Sequence, residues 1–258
     1  MLRPRIIPCL LIHEGGLVKT TSFKNPKYVG DPINAVKIFN EKEADELIIL
    51  DIDASVNGTE PNYKLISDVA AECRMPLCYG GGIKTAKQAK RIIGLGVEKI
   101  ALSSAAIENP NLIAEIANEI GRQSVVVVLD VKKRRLGEDY DIFIRNGKQN
   151  TNRLLFEMAA IFESMGAGEI IINSIDRDGQ MKGYDLNLAQ IIREAVKIPI
   201  TILGGAGSLN DIRVLIHKNG VIGASAGSIF VFKGVYKAVL INYPDMTMRD
   251  DLIRTTLV

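Results

Sequence analysis

The amino-acid sequence predicts an α/β fold: one (β/α)8 TIM barrel, a closed parallel eight-stranded sheet, with two phosphate sites at the C-terminal ends of its strands. Three observations predict it. Eight short apolar runs alternate with longer amphipathic stretches. The second half repeats landmarks of the first at a fixed spacing. The chain has 258 residues, close to the ~250 typical of one such barrel, although length alone also allows two smaller domains.

The apolar runs are 5–11 (RIIPCLL), 47–52 (LIILDI), 76–80 (PLCYG), 97–102 (VEKIAL), 124–130 (SVVVVLD), 169–174 (EIIINS), 199–203 (PITIL) and 221–226 (VIGASA). Their nearly continuous apolar character is that of parallel strands buried on both faces. Stretches 61–73, 85–94, 109–119, 151–165 and 187–197 carry helical periodicity, and Asp31-Pro32 and Asn109-Pro110 put proline near a first helical turn. Alternation of this kind makes βαβ units. Glu46 and Glu169, Pro76 and Pro199, Gly81-Gly82 and Gly204-Gly205, and Ser104 and Gly227 each stand 123 residues apart. That regularity describes two half-barrels, about 1–121 and 122–258, of four βα units each. The first strands of the halves align with Leu11 against Asp130, 119 residues apart, so the slip falls in the loop after the first strand.

Composition excludes several classes. A net charge of +2 gives no electrostatic case for nucleic acid or a membrane surface. No run of ~20 apolar residues predicts a membrane span. The opening MLRPRIIPCLLIHE lacks a small-residue cleavage site and reads as a buried strand rather than a signal peptide, so the expected compartment is the cytoplasm. Cys9, Cys73 and Cys78 form no Cys-x-x-Cys and are expected to be buried and inert, and the distant His13 and His217 suggest no metal site. No cofactor is expected.

In this fold the reactive groups follow the strands. Gly80-Gly81-Gly82 follows the third run and Gly204-Gly205-Ala206-Gly207 the seventh; the fourth and eighth end in Ser103-Ser104-Ala105 and Ala226-Gly227-Ser228. One glycine cluster need only mark a tight turn. Two at matching positions, each beside a small-residue strand end, predict two phosphate cradles lined by backbone N–H groups, and hence a long phosphorylated small molecule. Asp130 ends the fifth run, Asp51 and Asp53 the second, and Asp176 and Asp178 follow the sixth. They are candidates for acid/base work or for holding ligand hydroxyls, with Asp53 and Asp178 also readable as solvated loop charges. Arg5, Glu46, Lys99 and Glu169 lie at strand beginnings, at the opposite end of the barrel. By themselves they read as a salt-bridge ring that plugs it.

The segments RIIPCL, LVKT (with Lys19), GDPI, DELIILDI, GGGIKT, AAIENP, VVVLD, GAGEIIINSIDRDG, GYD and GGAG together resemble the cyclase subunit of imidazole glycerol phosphate synthase over nearly the whole chain. The resemblance implies a glutaminase partner docked at the N-terminal face and ammonia passing through the barrel. Arg5, Glu46, Lys99 and Glu169 match that family's ammonia gate, which replaces the plug reading with a conduit. It also implies substrate contacts from Lys19, Asp51 and Asp176, and phosphate contacts from Gly81, Gly82, Ser103, Ser104, Gly204, Gly205, Gly207, Gly227 and Ser228. The family's catalytic pair is two aspartates. One matches Asp130; the other falls on Leu11, which cannot carry a proton, and losing such a group removes roughly 10²–10⁴-fold in rate. Ser103-Ser104 and Leu203 also depart from the family pattern. The segments LLIHEGGLVKT, FKNPKYVGDPINA, IFNEKEADEL, LDIDAS with PNY, and GSIFVF with AVLINYP resemble a paralogous branch that works with a glutaminase-like subunit and a sugar amidotransferase in surface-polysaccharide pathways. There the implied task is supply of ammonia for an acetamidino group. The alternatives are a working cyclase of histidine biosynthesis, converting phosphoribulosyl-formimino-AICAR-phosphate and ammonia to imidazole glycerol phosphate and AICAR, and a non-enzymatic bis-phosphate-binding scaffold.

Overall fold

The computed structural model describes residues 3–134, 137 and 139–254. Eight parallel strands close on themselves: β1 Arg5–His13, β2 Leu47–Asp51, β3 Leu77–Gly80, β4 Lys99–Leu102, β5 Val125–Lys133, β6 Glu169–Ser174, β7 Ile200–Leu203 and β8 Gly223–Ala226. Each pairs with the next, and β8 pairs with β1 through Arg5 opposite Gly223. Eight major helices surround them: α1 Pro32–Glu41, α2 Tyr63–Glu72, α3 Ala86–Ile93, α4 Asn111–Ile120, α5 Leu155–Met165, α6 Leu186–Ala195, α7 Leu209–Asn219 and α8 Met246–Arg254.

Local sequence explains where the helices begin. Asp31 caps α1, accepting from Asn34 N at 2.9 Å, with Pro32 in the first turn. Thr85 with Gln88 and Ser208 with Asp211 make reciprocal capping boxes at α3 and α7. Pro110 itself is the cap residue of α4, one position before the first turn.

The eight sequence runs all become barrel strands, several starting one or two residues later than their apolar pattern. Three hairpins were not foreseen. After β1 the chain forms antiparallel strands Gly16–Thr21 and Lys24–Gly30; after β5 it forms Tyr140–Ile144 and Gln149–Leu154. Both continue a barrel strand, since β1 pairs with Gly16–Thr21 and β5 with Tyr140–Ile144. The helix expected over 151–165 therefore starts at Leu155. Its polar opening TNRL is the end of a strand, where backbone pairing overrides a weak helical pattern. A third hairpin pairs Phe232–Lys233 with Ala238–Val239 after β8.

The half-barrel repeat is visible in backbone conformation. Gly81 and Gly82 (φ +129° and +73°) match Gly204 and Gly205 (+97° and +111°), left-handed values that side chains resist. The hairpins after β1 and β5 also correspond, and this is where the offset between the halves changes.

Apolar side chains form two clusters. The larger fills the space between strands and helices. The smaller lies inside the barrel and comprises Ile7, Cys9, Ile48, Cys78, Ala101, Val126, Val128, Ile171 and Leu203, with Leu11 and Leu50 packed against it. Cys9 and Cys78 are buried as expected, whereas Cys73 is half-buried at the end of α2. Burial pushes the Cys9 thiol up to about 12 and Cys73 to about 11, so neither supplies thiolate near neutrality. Among the described residues no helix is long and apolar enough to cross a membrane, and no three metal-ligating side chains converge.

The C-terminal helix is tied to the start of β2. Buried Arg249 reaches Asp45 at 2.6 Å, while Asp45 also accepts from Ile6 N (3.0 Å) and Arg3 (2.9 Å). Tyr243 donates to Ile6 O (2.7 Å), accepts from Asp45 N (3.1 Å) and packs against Phe39 and Phe230. Arg249→Ala leaves the buried Asp45 carboxylate with the half-exposed Arg3 as its remaining charged partner beside the Ile6 N–H. The expected loss is about 3 kcal/mol in urea unfolding, at the low end for breaking a buried pair.

Candidate active site at the barrel mouth

Strand alternation decides which side chains enter the barrel. On β1 every second residue faces inward, giving Arg5, Ile7, Cys9 and Leu11 in rising order; on β5 the series is Val126, Val128 and Asp130. At the N-terminal end the inward residues are charged. Lys99 Nζ donates to Glu46 Oε1 (2.7 Å) and Glu169 Oε2 (2.9 Å). Arg5 donates to Glu169 Oε1 at 2.7 Å and also pairs with Glu46. Thr201 Oγ1 closes the set on Glu169 Oε1 at 2.6 Å. All four predicted ring residues thus meet, and Thr201 joins them; a threonine in PITIL carried no sequence signal of this role. Burial opposes ionisation of Glu169, but Arg5 and Lys99 outweigh it and hold the carboxyl at about 2. The ring alternates two basic and two acidic side chains, with Glu169 held ionised by both of its cations.

At the C-terminal end lies a cavity of about 470 Å³, lined by residues from many of the strand ends, a size that suits a small-molecule ligand. It gathers Leu11, Lys19, Asp51, Asp130, Gly81, Gly82, Ser103, Ser104, Gly204, Gly205, Gly227 and Ser228. Two expected residues do not line it. Gly207 gives its N–H to Asp211 Oδ2 (2.9 Å) in the α7 cap. Asp176 is exposed and accepts from Lys133 N (3.0 Å). Asp178 is the sixth-strand aspartate that faces the cavity. It is no solvated loop charge: its Oδ2 accepts from Thr20 Oγ1 (2.7 Å) and Phe23 N (3.3 Å), and burial pushes its pKa up. Asp53 is engaged too, accepting from His13 Nδ1 (2.7 Å) and Glu14 N (2.7 Å); the bond to Asp53 raises the His13 pKa.

Asp130 is half-buried at the cavity wall beside Asn173, whose Nδ2 donates to its Oδ1 at 3.0 Å. Burial drives the Asp130 carboxyl up to about 7, with the Asn173 bond opposing and the Asp178 charge adding. A carboxyl near 7 is poised to take or give a proton. Sequence reasoning missed Asn173; its only signal is its inward register opposite Asp130 in the β5–β6 pairing. Leu11 is four strands away across the mouth. It lines the cavity as an apolar surface together with Leu50, Leu203 and Val128.

Lys19 enters from the hairpin after β1 and donates to Cys9 O, and burial lowers its pKa. It fits only because position 227 is glycine: a Cβ there would stand 2.2 Å from Nζ. Asp51 Oδ1 accepts from Asp53 N (2.9 Å) and Ala54 N (3.1 Å), and burial raises its pKa.

The profile of the family described as histidine biosynthesis protein matches residues 5–237. The chain belongs to the histidine biosynthesis protein family. It is 58% identical over 252 residues to "Putative imidazole glycerol phosphate synthase subunit HisF" of Leptospira borgpetersenii, covering 98% of this chain and 99% of that protein. It is 59% identical over 244 residues (95% and 94%) to "Putative imidazole glycerol phosphate synthase subunit hisF3" of Vibrio vulnificus strain YJ016. It is 43% identical over 230 residues, 89% of each chain, to the imidazole glycerol phosphate synthase subunit HisF of Lactococcus lactis subsp. cremoris strain SK11. Within the histidine biosynthesis protein family this chain is therefore HisF-like along nearly its whole length.

The raised Asp130 pKa has a stability consequence. The folded state holds this proton up to about pH 7, whereas an unfolded aspartate releases it near 4. Between those values the folded state binds more protons, so the Asp130 contribution to stability falls as pH rises and is lost above about 7. Asp130→Asn is expected to flatten that slope and to stabilise the protein at pH 8 by roughly 1–3 kcal/mol. Urea unfolding at pH 5 and pH 8 checks this; equal stability changes at both values would contradict the assignment.

Proposed function

We propose that this chain is a cyclase-like subunit of a glutamine-dependent amidotransferase, conducting ammonia from a glutaminase docked at the N-terminal face to the barrel mouth. The observation that carries the reading is a combination. The complete ring of Arg5, Glu46, Lys99 and Glu169 persists at one end of the barrel, while Leu11 occupies the place of a proton-handling group at the other. A protein that no longer closed the imidazole ring but still passed ammonia would keep the first and lose the second.

The interior supports a neutral passenger. Between ring and cavity lies the apolar cluster of Ile7, Cys9, Ile48, Cys78, Ala101, Val126, Val128 and Ile171. Ammonium would pay the desolvation of a charge there, and ammonia would not. The consumer we infer is a sugar amidotransferase that turns an N-acetyl group into an acetamidino group in surface-polysaccharide formation. The paralogous segments in the first 80 residues support this, as does the numbered name of the Vibrio vulnificus relative. Activity in the cytoplasm follows from that assignment.

A second reading, the ring-closing cyclase of histidine biosynthesis, is favoured by one observation: Asp130 titrates near 7 in an intact two-cradle cavity. One acid would then serve both proton transfers.

Two measurements separate the readings. With the glutaminase partner present, Lys99→Ala is expected to uncouple glutamine hydrolysis from ammonia delivery, lowering glutamine-driven product while ammonium-driven product is unchanged. Undiminished coupling would remove the conduit. With ammonium salt and the bis-phosphate substrate of the cyclase, wild type is expected to turn over at least 10²-fold more slowly than Leu11→Asp. Efficient ring closure by the unmodified chain would establish the second reading.

A further inference from the structure

The two predicted cradles are not equivalent. Around Gly204, Gly205, Gly227 and Ser228 stand Lys19, buried and already bonded to Cys9 O, and Arg177, whose Cβ packs on Gly205 while its guanidinium turns out of the cavity to Gly183 O at 3.3 Å. Around Gly81, Gly82, Ser103 and Ser104 the wall carries two solvent-facing cations, Lys84 and Arg145. Lys84 reaches Gly58 O at 3.2 Å. Arg145 comes from the tip of the Tyr140–Leu154 hairpin, a segment the sequence reading left out.

The hairpin tip is built at a cost. Arg145, Asn146 and Gly147 are all left-handed, at φ +53°, +56° and +71°. Asn and Gly tolerate that conformation; arginine does not gain from it. A strained residue of this kind at a cavity wall points to function. The tip is also tied to the cradle. Arg145 N donates to Ser104 Oγ at 3.1 Å, and its guanidinium pairs with Glu108, another cavity residue, at 3.2 Å. Ser104 Oγ is thereby fixed on the cavity wall that Gly81 and Gly82 also line, and the guanidinium is parked at the rim by a carboxylate it can leave for a stronger anion.

We infer that Arg145 is an anion clamp of the first cradle, closing on a terminal phosphate monoester and so setting which end of a long ligand enters there. This deepens the two-phosphate reading of the cavity and rests on it. A phosphate dianion offers the guanidinium two parallel hydrogen bonds in place of one shared carboxylate contact, so exchange from Glu108 to phosphate is favourable. The second cradle, whose neighbouring Arg177 is committed to backbone carbonyls outside the cavity, holds its phosphate by backbone N–H groups and the field of Lys19. The clamp therefore selects the more highly charged or more exposed end of an asymmetric ligand.

The test is amide NMR titration with inorganic phosphate, read separately at the two cradles. In wild type, Gly82 and Ser104 report one site, and Gly205 and Gly227 the other. Arg145→Gln is expected to raise the apparent Kd read at Gly82 and Ser104 about tenfold, the scale of one lost charge-assisted hydrogen bond, and to leave that read at Gly205 and Gly227 unchanged. Arg145→Lys restores part of the affinity, since charge without the planar fork is a poorer clamp. Lys148→Gln, which removes an exposed charge from the same hairpin outside the cavity, is expected to change neither. Arg145→Gly relieves the strained conformation, raising the melting temperature by roughly 2–4 °C while losing phosphate affinity like the glutamine variant. No perturbation at any of the four glycine and serine amides in wild type would overturn the two-cradle reading itself. Phosphate binding that is normal in wild type and equally normal in Arg145→Gln, or equally weakened by Lys148→Gln, would overturn the clamp alone.

Discussion

Inward-facing residues recur every second position along a strand, and a closed barrel leaves them nowhere else to go. That constraint organises this molecule. A strand of four to nine residues supplies only a few inward side chains: two on a short strand such as β4, Lys99 at the lower rim and Ala101 above it, and more on the long β1. Chemistry is sorted by height. Arg5, Ile7, Cys9 and Leu11 on β1 pass from cation through apolar interior to cavity wall. Glu169, Ile171 and Asn173 on β6 pass from anion through interior to the partner of Asp130. A one-residue slip in any strand would turn this order inside out.

The two ends then treat charge in opposite ways. At the ring, each carboxylate has two cations within reach, and the attraction exceeds the cost of burial, so Glu169 stays ionised far below neutrality. At the mouth, Asp130 has one amide donor and a like-charged neighbour, so burial prevails and its proton is held to about pH 7. The same residue type, a carboxylate facing the lumen, is a permanent charge at one end and a titrating group at the other. Partner identity alone makes the difference.

Much of this was legible in the sequence because it rests on period and position. Eight continuous apolar runs can be buried on both faces only in a parallel sheet, and the 123-residue spacing located both glycine cradles and both lower-rim glutamates. What was not legible depends on contacts between elements distant in sequence. Asp178 and Asp176 differ by two positions in a loop, and nothing in SIDRDG says which one turns toward Thr20. Thr201, Asn173 and Arg145 become significant only when folding sets them against Glu169, Asp130 and Ser104. The hairpins after β1 and β5 were hidden for another reason. Their outer strands, Lys24–Gly30 and Gln149–Leu154, are polar and largely exposed, so they carry neither a buried run nor a clean alternation.

The repeat also shows where the halves have diverged. Backbone geometry is shared: paired glycines with matching left-handed angles, and a hairpin extending the first strand of each half. The differences sit at side chains the alternation delivers to the cavity. Leu11 is the inward residue at cavity level on the first strand of one half and Asp130 its counterpart on the first strand of the other. The hairpin of the first half sends in Lys19, buried beneath its cradle, whereas that of the second half reaches across to the opposite cradle with Arg145, at the rim. Each hairpin thus reaches the small residues of the other half: Lys19 approaches Gly227, and Arg145 N bonds Ser104 Oγ. The two halves therefore share the cavity side chain by side chain, and the closed eight-stranded form is the smallest unit in which both hairpins find the residues they reach.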